Sequence, residues 1–180
     1  MVSISDFIQL QPITIGHHSE LVSLMKRIYP PAYKHMWHNE DCTFYVEHFY
    51  NVGHFRKELL EDETEYYFVN YKTYLVGMLR VHFNKPLTTK SEMSGCYLHR
   101  IYLGEEAQGK GIANELMNWV EQKAKLKGND LIWLEAMDTQ EQALRFYKKQ
   151  GFMNSHKAYL DFEPLLDHYR GMDVLYKSLK

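Results

Sequence analysis

Cysteine is scarce in this 180-residue chain: Cys42 and Cys96 are too few for a disulfide framework. Long apolar runs are missing as well. No stretch approaches the roughly 18 apolar residues that span a bilayer. The opening segment MVSISDFIQL lacks the basic residues and long apolar core of a secretory signal. Linkers rich in Pro, Gly or Ser, repeats and low-complexity tracts are absent, so one domain over residues 1–180 is expected. The formal net charge is only -2, which argues against a broad attraction for nucleic acid or anionic lipid. Together these absences point to a soluble, reduced, cytoplasmic protein without nucleic-acid or membrane partners.

What is present is apolar and aromatic mass. Apolar residues make up 45% of the chain, as expected of a globular protein. The 14 tyrosines fall largely in the first half, which fits either a thick core or an aromatic-lined pocket. Phe7 to Ile15 alternates loosely and reads as a strand. Ser19 is placed to cap a helix carrying Leu21, Leu24, Met25 and Ile28, which Pro30-Pro31 should end. Residues 41–60 read as helical with a break near Asn51–Gly53. Tyr66–Asn70 and Tyr74–Phe83 read as a hairpin. Tyr97–Leu103 reads as a strand. A helix follows from Gly111 to about Lys127, with Ile112, Leu116, Trp119 and Val120 on one face, and Gly128 ends it. Leu131–Ala136 reads as a buried strand. A helix bearing Ala143, Phe146 and Tyr147 stops at Gly151, and strands near residues 157–162 and 172–176 close the chain. This order predicts an α/β (α+β) sandwich with helices on both faces of one sheet.

Gly109-Lys110-Gly111 sits between a strand and a helix. Two glycines let the backbone approach a ligand, and the first-turn N–H groups of the helix then face an anion. A phosphate-bearing ligand is expected there, with Lys110 adding charge. GEEAQGKG (residues 104–111) matches the start of a P-loop, but Gly111 stands where Ser or Thr must hold magnesium, and Glu105-Glu106 would repel a triphosphate. A dinucleotide fingerprint fails because Ile112-Ala113-Asn114 supplies no third glycine. An ordinary tight turn without a ligand also fits the turn taken alone.

The run from Ile101 to Ala113 resembles the first motif of the GNAT acetyltransferase superfamily, and QGKGIA satisfies its Q/R-x-x-G-x-G/A signature. Downstream, ALRFYKKQGF (residues 143–152) resembles the family's A-x-x-F-Y-x-x-x-G-F helix and turn, about 30 residues further on with a strand between. HRIYL, IWLEA and ALRFYKKQGF are similar to the bacterial PaiA-type polyamine acetyltransferases. The resemblance implies a GNAT fold: a mixed, mostly antiparallel twisted sheet of roughly six or seven strands with helices on both faces. It also implies acetyl-coenzyme A as cosubstrate, no metal, and direct transfer to a primary amine of a small molecule, a polyamine-like one being favoured. Homodimers are common for this fold. The cofactor-binding positions implied are Ile101, Tyr102 and Leu103 on the strand, Gln108, Gly109, Lys110, Gly111, Ile112 and Ala113 at the turn, and Gln140, Ala143 and Phe146 beyond it. The family usually has Asn where Gln140 stands, and Gln offers the same amide one methylene further out.

Tyr147 is the implied general acid for the leaving thiolate, although helix periodicity alone also makes it a core residue. His99 and Glu135 are alternative general bases, and a water chain to bulk solvent is a third. Strand alternation predicts that His99 shares a face with Leu103. Tyr33, Trp37 and Tyr45 are the expected acceptor wall, packing of the helices on the sheet being the plainer reading. Glu40, Asp41 and Glu47 among them are placed to attract a cationic amine, a solvated helix face being the plainer reading. The spacing of His35, His38 and Cys42 allows a metal cluster, but one helix without a second ligand set is usually chance. Two other classes stay open: a GNAT fold that holds acyl-coenzyme A without turnover, and an interaction domain with no ligand.

Overall fold

A computed structural model describes residues 1–180. Eight strands form one sheet: β1 (Val2–Ser3), β2 (Ile8–Pro12), β3 (Thr64–Tyr71), β4 (Tyr74–His82), β5 (Gly95–Leu103), β6 (Leu131–Met137), β7 (Met153–Tyr159) and β8 (Gly171–Ser178). The order across it is β1-β2-β3-β4-β5-β6-β8-β7. All neighbours are antiparallel except β5 and β6. The helices are α1 (His18–Tyr33), α2 (Thr43–Phe49), α3 (Val52–Leu60), α4 (Ile112–Leu126) and α5 (Glu141–Lys149). No helix is long and apolar enough to cross a membrane.

Two apolar layers sandwich the sheet. On one face α4 lays Ile112, Leu116, Val120 and Ala124 against Val69, Leu79, Val81 and Leu98. Burying each of the Val, Leu and Ile side chains among these is worth about 1.5–3 kcal/mol. On the other face α1 packs Leu21, Leu24, Met25 and Ile28 with Phe68 and Met78, and α2 and α3 add Val46 and Phe55. Both stripes follow the helical spacing read in the sequence.

Four expectations need correction. The sheet has one strand more than expected, because β1 is two residues long and too short to show periodicity. Strand β7 starts at Met153, ahead of the expected segment; as an edge strand with mostly exposed side chains it carries no apolar alternation. Helix α1 runs through Pro30 and Pro31 to Tyr33. The missing proline donors lie in its last turn, and the carbonyls they leave free belong to the exposed Lys26 and Arg27. Ser19 does not cap it but lies inside its first turn: α1 starts at His18, after a tight turn over residues 15–17 in which Thr14 N–H donates to His17 Nδ1 at 3.0 Å. The break near Asn51 is there, and the Asn51 side chain caps α3 by accepting from His54 N–H at 2.9 Å.

Candidate active site

The parallel pair β5–β6 opens like a fork. Gly95, Cys96 and Tyr97 pair with Leu131, Ile132 and Trp133, and there the pairing stops. Beyond it β5 stays on β4 as far as Leu103, and β6 stays on β8 as far as Met137. A cavity of about 270 Å³ fills the gap. Gly104 N–H donates to Val76 O on the β4 side at 2.9 Å. Strand alternation therefore turns the backbone groups of Leu103 and Ile101 toward the gap, where a ligand can pair with them.

Directly after β5 comes the glycine turn. Gly109 (φ 70°) and Gly111 (φ 74°) occupy the left-handed region, which glycine adopts without strain. A Cβ on either would meet nothing within 4 Å, so the space before the turn is open. The N–H groups of Gly109, Lys110, Gly111, Ile112 and Ala113 donate to no protein acceptor. They form a row at the positive end of α4, which suits a diphosphate. Gln108 is excluded from the row, because its N–H is spent on Glu105 O at 3.0 Å. Lys110 Nζ lies 5.0 Å from the centroid of the Tyr71 ring.

From the far side α5 presents Gln140, Ala143 and Tyr147 to the cavity. Phe146 does not line it and instead packs its ring 5.3 Å from that of Tyr147. Burial pushes the Tyr147 phenol up to about 12, so it stays protonated through the physiological range.

The three aromatics expected at the acceptor wall, Tyr33, Trp37 and Tyr45, all line the cavity. Tyr29 joins them: it stacks on Tyr33 at 4.6 Å and on Tyr45 at 4.2 Å between centroids. Tyr102 turns its side chain to this face, and its hydroxyl meets that of Tyr45 at 2.7 Å. Phe49 and Phe162 complete the wall. Tyr29 sits one helical turn before Tyr33, a spacing that equally suits a core residue, and Phe162 lies in a loop with no pattern to mark it. Glu40 is tied to Lys34 at 2.8 Å, Asp41 accepts from Thr43 N–H at 2.9 Å, and Glu47 is exposed. His35, His38 and Cys42 form no cluster; no three His, Cys, Asp or Glu side chains are grouped to hold a metal ion.

The two candidate bases differ sharply. Arg80 pairs with Arg100 across β4–β5, but the next register pair is Val81 with Leu98, so His99 is the extra residue of a bulge. The face expected for His99 is therefore wrong. Leu103 and Ile101 pack with the α4 layer, whereas His99 stacks on Tyr97 at 5.2 Å and accepts a hydrogen bond from Arg80 on the opposite face. Burial, with Arg100 and Arg80 beside it, holds its imidazole far below the usual range. Glu135 is exposed on the lip of the cavity, and its Oε2 accepts from Tyr97 OH at 2.6 Å. Arg100 also lines the cavity, but its guanidinium is neutralised by the buried Glu58 at 2.8 Å.

The acetyltransferase (GNAT) family profile matches residues 23–152, and the chain belongs to that family. An uncharacterised N-acetyltransferase encoded beside pepI in Lactobacillus delbrueckii subsp. lactis is 23% identical over 112 residues, spanning 62% of this chain and 65% of the relative. Among solved structures, the PaiA N-acetyltransferase of Thermoplasma acidophilum, in complex with coenzyme A, superposes with a TM-score of 0.72 at 16% identity, covering 95% of this chain and 98% of its own. A variant of the spermidine N-acetyltransferase SpeG from Vibrio cholerae gives 0.65 at 16% identity, with 97% and 95% covered. A microcin self-immunity acetyltransferase, solved with acetyl-CoA and AMP, gives 0.68 at 16% identity, with 97% and 94% covered.

Proposed function

We propose that this protein transfers an acetyl group from acetyl-coenzyme A to a primary amine of a small molecule, both bound at once. The observation that carries the reading is a free N–H row at Gly109–Ala113 that follows directly on β5, one arm of the forked cleft that Tyr147 lines. The diphosphate of the cosubstrate fits the N–H row, and its pantetheine arm fits the gap beside Ile101 and Leu103.

The amine lone pair attacks the thioester carbonyl carbon. A C–N bond forms, the C–S bond breaks, and the bonding pair leaves on sulfur. The Leu103 N–H, aimed into the gap, stabilises the carbonyl oxygen as charge develops on it. Tyr147 gives its proton to the sulfur. A phenol near 12 is a weaker acid than a thiol of about 8.5, so donation follows the build-up of charge on sulfur rather than preceding it. Glu135 is the group that takes the proton from the attacking nitrogen. His99 is poorly suited, because its ring nitrogen already accepts from Arg80 and its surroundings oppose a second positive charge.

Tyr147 in the cleft favours turnover over passive holding of acyl-coenzyme A. The deciding experiment supplies acetyl-coenzyme A with a panel of primary amines and follows free thiol. Amine-dependent thiol release is expected. Cofactor binding without release would make the protein a sensor.

A further inference from the structure

The acceptor end of the cavity holds much aromatic surface and very little negative charge. Glu135 is the only carboxylate that lines it. Its Oε2 receives Tyr97 OH, it has no basic partner in the protein, and one oxygen is left for a ligand. The other charged group on the wall is a cation, Arg100, with its charge spent on the buried Glu58. The acidic residues nearest in sequence to the aromatic wall do not help: Glu40 serves Lys34, Asp41 caps α2, and Glu47 faces solvent. The hydroxyls of Tyr45 and Tyr102 are hydrogen-bonded to each other.

Such a pocket can hold one ammonium against Glu135 and bury an apolar body against the rings of Tyr33, Trp37, Phe49 and Phe162. A second ammonium on the same molecule would enter an aromatic wall with no counter-ion, next to a guanidinium. Burying a charge without a partner is costly, and an aromatic face recovers only part of that cost. The geometry points to an acceptor with a single cationic amine on an alkyl or aryl body, rather than a polyamine. This refines the acetyl-transfer reading above and rests on it.

The test uses the intact protein, saturating acetyl-coenzyme A, and a matched set of acceptors: hexylamine, 1,6-diaminohexane, 2-phenylethylamine and spermidine. Hexylamine and 1,6-diaminohexane share a carbon chain and differ by one terminal amine. We expect kcat/KM for hexylamine and 2-phenylethylamine to exceed that for the diamine and spermidine by at least about tenfold. Equal or greater kcat/KM with 1,6-diaminohexane or spermidine would overturn the single-cation pocket while leaving acetyl transfer intact. If no amine releases thiol, it is acetyl transfer that fails. Calorimetric titration of the coenzyme A-loaded protein with the same four amines then decides the pocket: tighter binding of hexylamine than of 1,6-diaminohexane sustains it, and equal, reversed or absent binding rejects it.

Discussion

On the proposed function, the two ends of the cleft offer their ligands different means of recognition. At the α4 end the chain offers backbone: N–H groups of the Gly109–Ala113 turn, and the strand edge at Ile101 and Leu103. At the α1–α2 end it offers side chains, a wall of rings drawn from Tyr29, Tyr33, Trp37, Tyr45 and Phe162. Backbone recognition needs a local conformation, which short sequence motifs can encode. A wall of side chains needs distant elements to converge, and each ring can be replaced without disturbing a motif. The cosubstrate end is therefore rigid in its demands, and the acceptor end is free to vary.

Gly111→Asp should break this contrast most severely. A Cβ at Gly111 meets nothing in the protein, so the fold survives apart from about 1–2 kcal/mol of left-handed strain. The added carboxylate stands before the N–H row, and affinity for coenzyme A should fall at least about 100-fold by calorimetry. Gly111→Ala, with the strain but no charge, should lose far less. Near-normal binding by the Asp variant would move the diphosphate elsewhere.

Tyr147→Phe should come next. Turnover should drop by about tenfold or more while coenzyme A affinity changes little, because the lost hydroxyl acts only as the C–S bond breaks. With the phenol held at about 12 by burial, the wild-type protein should show no fall in kcat between about pH 8 and pH 10. A fall in that window, absent from the Phe variant, would show a more acidic tyrosine than its surroundings imply.

Tyr102→Phe should have the smallest effect and sharpens the division of labour. It deletes one hydroxyl of the Tyr45–Tyr102 pair and leaves the backbone at the gap in place. The acceptor KM should shift by about two- to fivefold, with coenzyme A affinity constant. A loss of coenzyme A affinity would mean that the Tyr102 side chain also serves the cosubstrate.

How much of this was legible follows the same division. The turn, helix α4 and helix α5 could be read because glycine positions and helical spacing are local signals. The fork is not a local signal, and only the family resemblance pointed to it, since the point where β5 and β6 part is decided by which neighbours each strand keeps. Tyr29 and Phe162 were missed because nothing local separates a wall of a pocket from a core. The bulge left a trace that was overlooked. Apolar residues facing α4 recur at Cys96 and Leu98, then skip an extra place to Ile101 and Leu103. Simple alternation would have put Arg100 in that series, and an arginine there was the warning.

That surplus residue sets what kinds of change β5 can absorb. Upstream of it even-numbered positions look toward α4, and downstream odd-numbered ones do. Removing His99 would bring the two halves into step: alternation would run from Leu98 through Arg100 to Ile101 with each side chain still on its present face. A residue inserted between Arg100 and Ile101, with Cys96 and Leu98 kept seated, would instead press Tyr102 into the seam beneath α4 and swing Leu103 into the aromatic wall. No exchange of side chain has this reach, so the strand can shed its surplus residue but is vulnerable to gaining another.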